Sequence, residues 1–223
     1  HIRGHLAAIY LADPSLKPPF ISLLASGGHT AMIEVKQFGE YEVIGETLDD
    51  AAGEAFDKVA RVLGLEYPGG PNIERLAREG KPMVELPAML KGKDCYDFSY
   101  SGLKTAVINY VHNHEQSGAE YSKADVACSF QHAAVDVLVK KAIKAAKERW
   151  LKVITAGGGV VANGYLRDTL SRECADNGLI AVLPPKKMCT DNAAMIAAEG
   201  YLRYRAGDFA DMTLNAKARV DLA

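Results

Sequence analysis

With 223 residues, 48% of them hydrophobic, the chain is long enough to bury a sizeable core and reads as one large globular domain or one and a half. The 26 Lys and Arg against 28 Asp and Glu leave a formal charge of -2, so no global field marks a nucleic-acid binder, although a local basic face stays open. No apolar run reaches the roughly 20 residues of a membrane helix. Cys95, Cys128, Cys174 and Cys189 form no CxxC pair, which argues against a zinc ribbon and suits a reducing compartment, the cytoplasm.

His1 to Ala12 reads as a helix closed by Asp13-Pro14, with Lys17-Pro18-Pro19 as linker. The chain opens on His rather than Met, at what looks like mid-helix, and we expect a piece of a longer protein whose leader, if it has one, lies outside. His1 and His5 stand four apart, so both imidazoles lie on one helix face. With a carboxylate such as Asp191, far along the chain, they make a three-ligand metal site with room for substrate. The plain alternatives are two exposed surface imidazoles and an ordinary N-cap at Asp191. Ile2 follows His1, so this is not the HExxH of a zinc protease.

The continuous apolar run Phe20–Ala25 predicts a buried strand, Ser26-Gly27-Gly28-His29-Thr30 a tight turn, and Ala31–Val35 the return strand of a hairpin. Tyr41–Thr47 alternates as a third strand. Asp49-Asp50 reads as the N-cap of a helix whose core positions are Ala52, Phe56, Val59 and Leu63. Its polar stripe, Asp50, Glu54, Asp57 and Arg61, reads as a solvated face with an Asp57–Arg61 pair or as carboxylates for ribose hydroxyls. Tyr67-Pro68-Gly69-Gly70-Pro71 breaks the helix, and Pro71 opens the next, ending near Gly80.

Residues 81 to 97 look irregular. Phe98–Thr105 leads into a helix through Val111, polar residues 112 to 122 read as a loop, and Lys123–Trp150 as a long amphipathic helix with Val126, Phe130, Ala134, Val137 and Leu138 inward. Lys140, Lys144 and Lys147, with Lys141 and Lys152 near, form a basic stripe able to meet phosphates, though such faces are usually just solvated. Val153–Ala156 is a short buried strand, Gly157-Gly158-Gly159 a turn, and Asn163 starts a helix. Leu179–Leu183 is a strand, and Asp191 caps a last helix to about Tyr204. The tail after Gly207 has little periodicity. The order fits an α/β layer fold with sites at strand ends. Both glycine turns suit an anion or nucleotide by close backbone approach; the plain alternative for Ser26-Gly27-Gly28 is a hairpin turn needing positive φ, and Gly157-Gly158-Gly159 alone is weak, lacking GxGxxG spacing and a Walker lysine.

Taken together and in order, HIRGHLAA, LLASGGHT, ETLDDAAGEAFDKVARVLGLEYPGGP, DFSYSGLKTAV, AGGGVVANGYLR and CTDNAAMIA resemble the tRNA N6-adenosine threonylcarbamoyltransferase (TsaD) family, once called O-sialoglycoprotein endopeptidase or Gcp. The likeness runs from His1 to about Gly207. It implies an actin-like ATPase (ASKHA, ribonuclease H-like) fold, with one lobe largely complete plus elements of the other. Residues 1–19 would be helix and linker of an N-terminal lobe, and 20–223 the C-terminal region with the nucleotide and metal site.

The resemblance implies transfer of threonylcarbamoyl from threonylcarbamoyl-AMP to the exocyclic amine of the adenosine 3′ of a tRNA anticodon. It implies Fe(2+) or Zn(2+) held by His1, His5 and Asp191. Donor and nucleotide contacts would come from Leu24, Ala25, Ser26, Gly27, Gly28, Asp57, Gly70 and Asn163, with Glu74 as a second ribose carboxylate. The implied partners are tRNA, the synthase that supplies the donor, and, in bacteria, a paralogous actin-like subunit and a small ATPase; no membrane is involved. His29 is a general-base candidate by type and position, and Lys104 a cation for phosphate or tRNA. We expect the fragment to be weakly active or inactive alone. The rival readings are a metallopeptidase, a non-enzymatic actin-like scaffold, and a small-molecule kinase of the same fold.

Overall fold

The computed structural model describes residues 1–90, 94–215 and 222. The chain opens with two short helices, α1 (Ile2–Ala7) and α2 (Ile9–Ala12). Three strands follow: β1 (Phe20–Ala25), β2 (Thr30–Gln37) and β3 (Glu40–Glu46). Next come α3 (Ala52–Val62), α4 (Gly69–Ala77), α5 (Ser101–Ser117) and α6 (Lys123–Glu148). The last part is β4 (Val153–Gly157), a 3₁₀ turn over Gly159–Ala162, α7 (Gly164–Asp176), β5 (Ile180–Val182) and α8 (Ala193–Ala206).

The strands form one sheet in the order β3-β2-β1-β4-β5, with β2 antiparallel to both β1 and β3, and β4 parallel to both β1 and β5. β1 is apolar throughout because both its faces are covered. Ile21, Leu23 and Ala25 enter the large core under α3 to α7, while Phe20 and Leu24 pack with Leu6, Ile9 and Val35 under α1 and α2. α8 lies against α1 and α2. The result is a three-layer α/β sandwich with β1 at its centre.

Several sequence expectations change. α5 runs six residues past Val111, to Ser117, and stops at Gly118 in the left-handed conformation (φ 69°). That last stretch is exposed apart from half-buried His114, and a helix turn with no face to bury reads as a loop. α4 begins at Gly69, placing Pro71 third rather than first. In α6 the inward valines are Val126, as expected, and Val135 and Val139, with Val137 half-buried. Asp49 and Asp50 do not cap α3. Its Ala52 amide donates to the buried Thr30 hydroxyl at 2.8 Å, and Asp49 instead accepts from the Tyr100 and Ser101 amides and both flanking serine hydroxyls, so it caps α5 from a distance. Asp50 sits between Lys58 and Lys104, at 2.9 and 2.6 Å. Residues 81–90 and 94–97 lack regular structure as expected, and the rest of that stretch lies outside the described residues, as do 216–221 and 223 of the tail.

Candidate metal and nucleotide site

The carboxyl ends of β1 and β4, the neighbouring parallel strands, set where a ligand can sit. The turn after β1 is closed by Ser26, whose amide donates to the His29 carbonyl (2.8 Å) while its hydroxyl accepts from the His29 amide (3.1 Å). The turn after β4 is pressed against it. Gly158 has φ 99°, and a methyl there would come 2.3 Å from the Ala25 carbonyl oxygen. The first turn of α3 meets the same loop, since a methyl on Gly53 would stand 2.7 Å from the Ser26 oxygen, and its amide donates there at 3.1 Å. Glycine is required at these two positions for close backbone approach.

α1 reaches this corner through His5, whose carbonyl oxygen would lie 2.8 Å from a methyl on Gly157. From the opposite side comes the segment before α8. There the cap is Asn192, not Asp191: the Asn192 Oδ1 accepts from the Met195 amide at 2.9 Å. Asp191, relieved of capping, places Oδ1 3.1 Å from His1 Nε2 and 3.1 Å from His5 Nε2. One ligand atom from each of the three residues falls within a 4.8 Å span.

The donor set fits a divalent ion on a separate observation. The His5 ring is almost fully buried, yet neither Nδ1 nor Nε2 has a hydrogen bond of acceptable geometry, the approach to Asp191 being close but poorly directed. A buried, unpaired polar nitrogen costs about 1–3 kcal/mol, which a coordinated cation would offset. Burial holds the His5 imidazolium below its ordinary pKa, with Asp191 opposing, so the ring favours the neutral form a metal needs. His29 stands beside the cluster, its ring centroid 6.1 Å from that of His1.

A cavity of about 460 Å³ opens between the β4 turn, α3 and α4. Gly27, Asp57, Gly70, Glu74 and Asn163 line it, with Phe56, Tyr67, Pro68 and Val160 as apolar walls and Thr190 linking it to the Asp191 segment. Gly27 and Gly70 face open space, where a side chain would intrude. Asp57 accepts from the Gly69 amide at 2.7 Å, which fixes the start of α4, and no Asp57–Arg61 pair forms among the described residues. Glu74 accepts from the Gly164 amide (3.1 Å) and from Arg78 (2.6 Å), tying α4 to α7.

Leu24 and Ala25 are fully buried and do not line this cavity. Gly28 and His29 belong to a second one of about 650 Å³, on the side of β2 and β3. Lys104 is paired with Asp50. Most of the basic stripe is occupied: Lys141 donates to the Cys95 and Asp97 carbonyls, Lys144 pairs with Asp94 and Lys147 bonds Asn177, strapping neighbouring segments to α6. The sequence reading missed Thr30 and Gln131. For Gln131 the signal was a polar residue next to Phe130, on the apolar face of α6.

Solved structures share this architecture. Full-length HypF in its phosphate- and nucleotide-bound form superposes with TM-score 0.71 at 16% identity, over 92% of this chain and 42% of that one. The activator of 2-hydroxyisocaproyl-CoA dehydratase from Clostridium difficile, with bound ADPNP, gives 0.51 at 12% identity, over 95% of this chain and 70% of that one. The chain therefore shares the fold of these proteins, in keeping with the actin-like fold that the sequence resemblance implied. At the level of sequence, the model of the tRNA N6-adenosine threonylcarbamoyltransferase family, TsaD, matches residues 1–198, and the chain belongs to that family. Proteins of that name are 49% identical over 217 residues in Clostridioides difficile (strain 630) and 48% identical over 223 residues in Clostridium botulinum (strain Kyoto / Type A2). The alignments cover 97% and 100% of this chain but 64% and 66% of those proteins, so the chain spans just under two thirds of their length.

Proposed function

We propose that this chain carries the metal and nucleotide half of a tRNA-modifying enzyme. That enzyme moves a threonylcarbamoyl group from threonylcarbamoyl-AMP to the exocyclic amine of the adenosine 3′ of the anticodon, in the cytoplasm. The observation that carries the reading is the convergence of His1, His5 and Asp191 beside a cavity walled by carboxylates, apolar side chains and two glycine turns. His1, His5 and Asp191 hold Fe(2+) or Zn(2+), which supplies Lewis acidity toward a carbonyl or phosphoryl oxygen.

The chain's own groups do the rest. Asp57 and Glu74 accept ribose hydroxyls, and Phe56 and Tyr67 flank the base. The Gly27 and Gly28 amides, which make no hydrogen bond among the described residues, face the negative charge that grows as AMP departs. An amine conjugated with a purine is a poor nucleophile, so orientation and leaving-group stabilisation provide most of the acceleration. Residues 1–19 pack on β1 and α8 as part of this body, and the chain alone is weakly active or inactive. tRNA is the acceptor, a synthase supplies the donor, and a paralogous actin-like subunit and a small ATPase assist.

The test supplies synthetic threonylcarbamoyl-AMP and unmodified tRNA to the full-length enzyme with its partners, and to its His5→Ala variant. Nucleosides are then read by mass spectrometry. Threonylcarbamoyladenosine made by the first and lost in the second is expected. No product from the complete enzyme would sink the proposal.

A further inference from the structure

Gln131 lies in the middle of α6, 5% exposed, against the start of α7. Its partner is Asn163, 8% exposed, which lines the 460 Å³ cavity and caps α7. The two amides are oriented by a chain of constraints that begins at the backbone. The Leu166 amide can only donate, so the group it meets at 3.0 Å must be Asn163 Oδ1. Asn163 Nδ2 is then turned toward Gln131 at 2.8 Å, and the group that receives it must be Gln131 Oε1. Reversing either amide would set N–H against N–H in a buried place. Gln131 Nε2 has no hydrogen-bond partner among the described residues, and the residue lines a separate cavity of about 510 Å³ behind the first, so nothing pulls its amide the other way.

Asn163 is left with its oxygen committed to α7 and one Nδ2 hydrogen uncommitted. A wall residue held in this way offers the cavity a donor. The neighbouring polar walls, Asp57 and Glu74, are carboxylates and match hydroxyl hydrogens. A fixed donor among acceptors is matched by a ring nitrogen that bears no hydrogen. We infer that Gln131 is a positioning and specificity-determining residue: the Leu166 amide fixes which end of the Asn163 amide is the donor, and Gln131 supplies the second contact that holds this donor in place, so that the cavity selects a purine presenting an unprotonated ring nitrogen. This rests on the cavity's being the nucleotide site proposed above, and it adds a residue that touches no ligand.

The experiment measures binding of AMP, 1-deaza-AMP, 3-deaza-AMP and 7-deaza-AMP by calorimetry, to the full-length enzyme and to its Gln131→Leu and Gln131→Glu variants, with thermal unfolding followed in parallel. Leucine keeps the volume and removes the acceptor; glutamate keeps an acceptor. For the unsubstituted enzyme, one deaza analogue is expected to bind about 10-fold more weakly than AMP, one hydrogen bond being worth about 1.4 kcal/mol. Gln131→Leu should bind AMP about 10-fold more weakly and no longer discriminate, while Gln131→Glu should restore discrimination; a merely structural role would move unfolding but leave the AMP-to-deaza ratio intact. Equal binding of all four nucleotides by the unsubstituted enzyme, or retained discrimination in Gln131→Leu, overturns the inference while leaving the nucleotide site standing. Failure of the enzyme to bind AMP at all overturns both. The comparison of nucleotides on the unsubstituted enzyme needs no variant to fold.

Discussion

The three consecutive glycines at the end of β4, Gly157 to Gly159, look alike in sequence but carry very different loads, and alanine substitution should separate them. At Gly158 a Cβ would stand 2.3 Å from the Ala25 carbonyl oxygen, 0.7 Å short of the 3.0 Å that real Cβ atoms respect, and the backbone there has φ 99°. With ψ 160° this is a conformation essentially confined to glycine, costing a residue with a Cβ about 1–3 kcal/mol, and forced repacking of a tight contact costs about 1–3 kcal/mol. Gly158→Ala should therefore destabilise by about 3 kcal/mol and widen the gap between the two ligand turns. At Gly157 the shortfall is 0.2 Å, 2.8 Å from the His5 oxygen, and α1 has to move slightly, a cost of about 1 kcal/mol. At Gly159 the nearest atom is Thr190 Cγ2 at 3.8 Å, so alanine should change stability by less than about 0.5 kcal/mol. Urea titration of the three variants, read as midpoint shifts at constant slope, gives the ranking directly. Equal losses at all three positions, or a loss below about 1 kcal/mol at Gly158, would refute the claim that backbone contact between the β1 and β4 turns shapes the site.

Two further outcomes follow from the same structure. Zinc at about 100 times its dissociation constant should stabilise the unsubstituted protein by about 2.7 kcal/mol in thermal unfolding, and His5→Ala should lose that shift; an undiminished shift would mean the ion binds elsewhere. Asp49→Asn should cost about 2 kcal/mol in denaturant, because the carboxylate caps α5 through two amides and two serine hydroxyls. Burial raises the Asp49 pKa, but the bonds from Ser99, Ser101 and the Tyr100 amide outweigh it and hold the carboxyl below its ordinary value. A depressed folded-state pKa contributes stability above the unfolded value of about 4 and loses it as pH falls through the folded one. The unsubstituted protein should therefore lose this contribution in that acid range, and the variant should show a flatter profile there.

How much of this was legible depended on whether the signal was local. The apolar run of β1 and the glycine turn after it announce themselves, because a strand covered on both faces has no alternative composition. The true end of α5 was hidden, since residues 112–117 contact too little to need apolar side chains. Two caps were misassigned for related reasons. Asp49 serves a helix about fifty residues away, and Asp191 stands one position before the residue that caps α8. Pattern reading finds a capping residue type near a helix start but cannot see a tertiary partner competing for it. The His1, His5, Asp191 grouping was accessible only as residue types; the orphaned His5 nitrogens that make it persuasive exist only once the chain is folded.

His1 and Asp191 are 190 positions apart in sequence, and every strand of the sheet lies between them. An ion gripped by both would act as a clasp on a very large ring. Unfolding scatters the ligands and frees the ion, so the clasp stabilises by mass action, about 2.7 kcal/mol at 100 times its dissociation constant. Taking the ion away would thus be felt well beyond its ligands. Hydrogen exchange should quicken in β1 and β4 as well as in α1, and metal supply would regulate how long the whole fold persists.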